Sequence, residues 1–185
     1  MSDLGMPPPD RSLPDRIDRF VFRTELCVAT CLVAALLCVV ALGALARGLG
    51  MPLIWTDEAA ALLMASATFP AASALIASRE HVEIPLLAGM LPPRAARVAA
   101  ILSDLALLAV LLALSVLVWR WFAPLDLLTP MLGAEPPMFP NFLYSEPTAT
   151  LGLRRLWFWL ALPLFCLGAC LHVLTRLIRL AQGAR

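Results

Sequence analysis

A chain of 185 residues that is 61% hydrophobic and 15% charged is too apolar for a soluble domain, which carries about 25% charge. Its mean hydropathy of +0.86 and formal net charge of +1 point to a membrane protein, with no nucleic-acid partner expected. Four long apolar segments take up most of the length, so little chain remains for a soluble catalytic domain.

In chain order, residues 1–11 contain Pro7-Pro8-Pro9 and few apolar groups, the composition of a disordered tail. From Ser12 the pattern changes. Ser12 suits a helix N-cap, with Asp15 in the first turn. Leu13, Ile17, Phe20, Val21 and Thr24 recur at helical spacing, with Arg16, Arg19 and Arg23 opposite. This predicts a short amphipathic helix lying on the inner leaflet, and residues 1–25 read as a cytoplasmic tail carrying it.

The first span is predicted over 26–46, between Glu25 and Arg47. Its apolar run is longer than the core of a signal peptide and follows a long polar, proline-rich stretch, so a span is expected rather than a cleaved leader. Trp55-Thr56-Asp57-Glu58 then opens a second span over 59–78, closed by Arg79-Glu80-His81. Twenty residues of helix make about 30 Å, the thickness of a hydrocarbon core. Residues 82–91 are apolar but too short to cross, which suits an interfacial or re-entrant piece between helices 2 and 3. The third span, 98–119, is broken only by Asp104; the fourth, 156–175, lies between Arg155 and Arg176. The 120–155 connection holds six prolines, so an irregular, stiff loop is expected rather than a folded domain. Its Trp121, Phe122, Phe139, Phe142 and Tyr144, with Trp157 and Trp159, suit an interfacial aromatic belt. The fold class is therefore an all-α integral membrane protein: a four-helix membrane domain over 26–185, plus two short interfacial helices.

Orientation follows from arginine, since the chain has no lysine. The 1–25, 79–97 and 176–185 segments together hold ten arginines, and the remaining two connections hold Arg47, Arg120, Arg154 and Arg155. The positive-inside rule places both termini in the cytoplasm.

Few groups suit chemistry. Without lysine there is no Schiff base or Walker A site, and there is no G-x-S-x-G or Rossmann fingerprint. No catalytic residue or cofactor is expected. Cysteines 27, 31 and 38 in the first span and 166 and 170 in the fourth form no C-x-x-C pair and suit packing at helix contacts; the i, i+4 pairs share a face. Two isolated histidines, His81 and His172, do not make a metal site or a facing haem pair; His172 reads as a packed or interfacial side chain and His81 as a local hydrogen-bonding group. Asp104 lies about 9–10 Å inward from Arg97 along a helix. It fits either a proton or coupling-ion site or an acid paired with a neighbouring arginine or a partner subunit, and a single carboxylate without a relay favours the pair. Asp57 and Glu58 suit the positive end of the second helix. The short connection before them is a reversal that brings Arg47 near both acids.

The order Arg47, Trp55-Thr56-Asp57-Glu58, Phe69, His81-Val82-Glu83-Ile84 and Leu91-Pro92-Pro93-Arg94 resembles the small membrane subunit of TRAP transporters, the tripartite ATP-independent periplasmic transporters. That family shows an arginine after the first helix, W-[ST]-[DE]-E opening the second, then phenylalanine, H-[IV]-x-[IV] and L-P-x-R. The four-span layout agrees. The resemblance implies an accessory subunit of the bacterial inner membrane, bracing a large membrane subunit that carries the sodium and substrate sites. It also implies a periplasmic substrate-binding protein that delivers a substrate, commonly an organic acid. Arg47, Trp55, Asp57, Glu58, His81, Arg94 and Asp104 are the candidate partner-interface residues. A self-sufficient four-span exporter needs a membrane-embedded glutamate in its first helix, and 26–46 has no ionisable group. A membrane anchor or assembly subunit is the remaining alternative.

Overall fold

The computed structural model describes residues 13–78, 92–125 and 141–181. Its elements are α1 (Leu13–Gly48), α2 (Trp55–Ser78), α3 (Pro93–Phe122), a 3-10 turn (Phe142–Tyr144), α4 (Leu156–Trp159) and α5 (Ala161–Ala181). No strand occurs among the described residues, only an isolated bridge between Pro147 and Arg154. Four stretches are long and apolar enough to cross a membrane: α1, α2, most of α3, and α4 with α5 taken together.

The helices form where the apolar runs predicted them but extend further. The largest extension is at the start. α1 runs unbroken for 36 residues, so the interfacial helix expected over 12–25 is not set off from the first span. A helix of that length reaches about 54 Å, far more than a hydrocarbon core of about 30 Å. Counting back from Arg47 at the far end, the surplus is the arginine-rich stretch before about Cys27. The face this stretch buries also differs from expectation. Leu13, Ile17 and Phe20 are exposed, whereas Asp15, Asp18 and Phe22 are buried. The acids turn inward because their partners are on α5. The short segment expected over 82–91 lies outside the described residues.

α1 and α2 form a hairpin. Arg47 closes the turn through its carbonyl, which accepts from Gly50 N at 3.1 Å, and Gly50 takes the left-handed φ of +74° that favours glycine. Close approach of the two helices rests on Gly43: a Cβ there would lie 2.8 Å from Thr56 Oγ1. α5 is the hub, packing against α1, α2 and α3. Ile76 of α2, Leu111 of α3, and Ala169 and Val173 of α5 make one apolar core. Val118 and Phe122 of α3, Leu143 of the loop and Cys166 of α5 make the second. α1 and α3 are the outer helices and present Leu37, Leu45, Leu102 and Val110 outward. The cysteines divide accordingly. Cys166 is buried and Cys170 lies 3.9 Å from the Ser115 hydroxyl, but Cys27, Cys31 and Cys38 are exposed, because α1 packs through a narrow stripe that includes Ala29 and Gly43.

Candidate functional site

Buried polar side chains gather at one end of the bundle, where α1 begins and α5 finishes. On α1, Asp15, Asp18, Phe22, Glu25 and Ala29 repeat at intervals of three and four residues, one helical face. On α5, Gly168, His172, Thr175 and Arg179 do the same. The two faces meet. His172 Nδ1 lies 2.7 Å from Asp18 Oδ1, and His172 Nε2 lies 3.0 Å from Glu25 Oε2. With a carboxylate oxygen at each ring nitrogen, the imidazole is placed to donate on both sides. Ser73 of α2, fully buried, donates to Glu25 Oε1 at 2.7 Å. Arg179 donates to Asp18 Oδ2 at 3.2 Å and also holds Asp15. Gly168 makes room for this cluster: a Cβ there would collide with the Glu25 carboxylate and the Ser73 hydroxyl.

Asp104 sits one helix away and is 5% exposed. Arg176 grips it with both arms of the guanidinium, Nε donating to Oδ2 at 2.7 Å and Nη2 to Oδ1, the fork geometry in which arginine binds a carboxylate most strongly. Of the two readings of Asp104, this is the paired one, with the arginine supplied by α5 rather than by a partner. Arg97 donates to the carbonyl of Leu180 and ties the start of α3 to the end of α5. Among the described residues, no buried side-chain nitrogen or oxygen lacks a hydrogen-bond partner, and no group of three His, Cys, Asp or Glu side chains is arranged to hold a metal. Among the described residues its charged groups are paired with one another. Its chemistry is the clamping of α1 and α3 to α5 by charge, with α2 joined through the Ser73 hydroxyl.

The opposite end carries the other candidates. Arg47 Nη1 donates to Asp57 Oδ1 at 3.1 Å, as the reversal between α1 and α2 predicted. Both side chains are more than half exposed. Glu58 departs from expectation. It does not join Arg47 but accepts from Ala149 N, Thr150 N and Thr150 Oγ1 at 2.7, 2.6 and 2.6 Å. It thereby pins the 149–151 turn onto the start of α2. The same loop caps α3: Asn141 Nδ2 donates to the carbonyls of Trp121 and Phe122 at 2.6 and 3.2 Å, beyond which Ala123 ends the helix at φ 43°. Glu146 and Arg155 pair at 2.7 Å. Trp159 meets Trp121 edge-on at 5.2 Å, while Trp157 stays exposed. Trp55 is half-buried where α2 opens.

The candidates thus fall into separate places. Arg47, Trp55, Asp57 and Glu58 share one end of the molecule, and Asp104 joins the buried network toward the other. Arg94 lies in the first turn of α3, but its side chain, like the whole of His81, is outside the described residues. Sequence reading took Asp15 as a first-turn acid, Glu25 and Arg176 as span ends and His172 as a packed or interfacial side chain, and gave Asp18, Ser73, Gly168 and Arg179 no role in a site. The matching three-and-four spacing of acids on α1 and of bases on α5 was the available signal.

Compared with known proteins, the chain matches the family described as "Tripartite ATP-independent periplasmic transporters, DctQ component" over residues 36–183. The match takes in the Arg47–Asp57 and Glu146–Arg155 pairs and the α5 side of the network; Asp15, Asp18 and Glu25 precede it. No curated relative matches the chain.

Proposed function

The chain belongs to the DctQ family, the small membrane component of tripartite ATP-independent periplasmic transporters, and from that premise we propose that it braces a large membrane subunit during binding-protein-dependent uptake. In this reading the large subunit carries the sodium and organic-acid sites, and the small one supplies a rigid wall against which it moves. The observation that carries the proposal is the self-satisfied ion network. Transport pathways line themselves with polar groups that substrates or ions can engage, whereas the buried charges of this bundle are spent on each other. α1 and α3 meanwhile offer long apolar faces to lipid or to a partner.

The protein sits in this reading as a multi-pass inner-membrane protein with both termini cytoplasmic. The Arg47–Asp57 pair and the loop held by Glu58 then face the periplasm, where the binding protein docks. His81, Arg94 and Trp55 remain candidates for contact with the large subunit. The test is reconstitution. In proteoliposomes under a sodium gradient, the chain alone should move no organic acid, and addition of the large membrane subunit and a binding protein should give uptake. Uptake by the chain alone overturns the bracing role.

A further inference from the structure

Between Leu13 and Glu25 the chain mixes acids and bases: Asp15, Arg16, Asp18, Arg19, Arg23 and Glu25, a formal sum of zero. Folding separates the two signs. The acids lie on the face of α1 that meets α5 and α2, and are engaged there by Arg179, His172 and Ser73. The bases lie on a second face, about a third of a turn round the helix and within about 60° of one another. Arg16 and Arg23 are exposed, and among the described residues neither has a hydrogen-bond or ion-pair partner. Arg19 is half-buried and leans on the Asp15 carbonyl. A stretch that sums to zero in the sequence therefore shows a cationic stripe to its surroundings.

The stripe does not stop at Arg23. Cys27, Thr30, Ala34 and Leu37 carry it on at the same three-and-four spacing, and all are exposed. The Thr30 hydroxyl is engaged by the Leu26 carbonyl, 2.7 Å away, so this continuation is apolar. Depth matches the change of character. Twenty residues back from Arg47, about 30 Å, the hydrocarbon core ends at Cys27. Arg23 stands about 6 Å beyond that level, within a headgroup layer about 5–7 Å deep, and Arg16 stands about 16 Å beyond it. The far end of α1 differs, since Arg47 there is engaged by Asp57 at 3.1 Å.

We propose that this outer face of α1 is a binding surface for anionic phospholipid, with the headgroup phosphate at Arg23, the surface charge reinforced by Arg16, and the acyl chains along Cys27, Thr30, Ala34 and Leu37. A phospholipid presents an anion and then an apolar chain in the order, and at the depth, in which the stripe presents cations and then apolar side chains. A helix of another subunit would have to bring its own carboxylate to the level of Arg23. The surface belongs to the chain itself and does not depend on the bracing role.

The probes are phosphatidylglycerol and phosphatidylcholine with identical brominated chains, each mixed into bilayers of plain phosphatidylcholine that hold the purified full chain. A fluorophore on Cys27, with Cys31, Cys38, Cys166 and Cys170 replaced by alanine, reports by its quenching which lipid lies beside Arg23. Phosphatidylglycerol should be enriched there about tenfold, the joint effect of the two free arginines. Arg23→Gln should cut the enrichment about fivefold, one basic side chain's worth of attraction at the membrane surface. Arg16→Gln should cut it only about twofold, because that side chain stands about one Debye length beyond the headgroups. Added salt should weaken the enrichment. The same fluorophore on Leu45→Cys, beside the paired Arg47, should report no preference. Equal quenching by the two lipids at Cys27, an enrichment unmoved by Arg23→Gln, or the same enrichment at both labelled positions overturns the proposal. So does a Cys27 shielded from both lipids once the large membrane subunit is bound, which assigns the face to a protein helix instead.

Discussion

Replacing His172 with leucine should damage this protein far more than the loss of one ring implies. The residue is 3% exposed and its ring stands between two carboxylates. Leucine fills most of the space, so the cavity contribution is small. What is lost is the group that lets Asp18 and Glu25 sit together. Asp18 keeps Arg179, but Glu25 is left with only the Ser73 hydroxyl. Removing one partner from a buried charge cluster costs about 3–5 kcal/mol. At about 2–4 °C per kcal/mol for a chain of this length, the unfolding midpoint in detergent should fall by about 6–20 °C. The internal standard is Arg47→Gln. Its pair with Asp57 has side chains 55% and 69% exposed, and such pairs contribute about 0–1 kcal/mol, so the midpoint should move by no more than about 4 °C. A further variant separates charge from packing: His172→Leu combined with Asp18→Asn and Glu25→Gln removes the unpaired carboxylates and should recover much of the loss, since replacing a whole buried ion cluster costs far less than breaking it. If His172→Leu melts within the range of Arg47→Gln, the network does not hold α1 to α5 and the reasoning fails.

Four other outcomes can be checked directly. Asp104→Asn should lower the midpoint by about 3–5 kcal/mol worth of stability, because it leaves the half-buried Arg176 without its carboxylate; an unchanged midpoint would show that water already serves that arginine. Asp57→Asn should leave assembly intact, yet raise the binding-protein concentration needed for half-maximal uptake and weaken its salt dependence, while Glu58→Gln should loosen the 149–151 turn, read as faster amide exchange at Ala149 and Thr150; unaltered uptake kinetics in Asp57→Asn would remove that acid from the docking surface. On a cysteine-free background, Ala184→Cys should resist a membrane-impermeant thiol reagent in intact cells and Ala134→Cys should react, and the reverse pattern would invert the topology.

What the sequence disclosed, and what it hid, follows from the range of each interaction. The four spans were legible because hydropathy is a local property and each apolar run is bounded by charged residues. Arg47 and Asp57 were legible as a pair because a short reversal joins them. The Asp104 partner was legible only as a class, an arginine, because Arg176 is 72 residues away in the chain. Glu58 was read as a companion of Arg47 because nothing in 149–151 advertises a turn whose two amides and hydroxyl converge on one carboxylate. The network at the start of α1 was hidden most completely. Taken alone, residues 12–25 look like an amphipathic surface helix, and the rule that apolar residues face inward gives the wrong face. The inward face is set instead by what α5 presents to it: an imidazole and a guanidinium that no apolar side chain could satisfy.

Chain order gives this arrangement a consequence during synthesis. Asp18 and His172 are 154 residues apart. At about 5–20 residues per second the ribosome needs roughly 8–30 s to make the second after the first. For that interval Asp15, Asp18 and Glu25 lack the bases of α5 that later meet them, and they are best accommodated in water and headgroups at the membrane edge. Arrival of α5 lets them move in. Charge pairing at the start of α1 is therefore completed last, only once the chain has been translated through Arg179. A product ending before α5 would keep the Ser73 contact of Glu25 but would lack the imidazole and guanidinium that meet Asp15, Asp18 and Glu25 in the finished bundle.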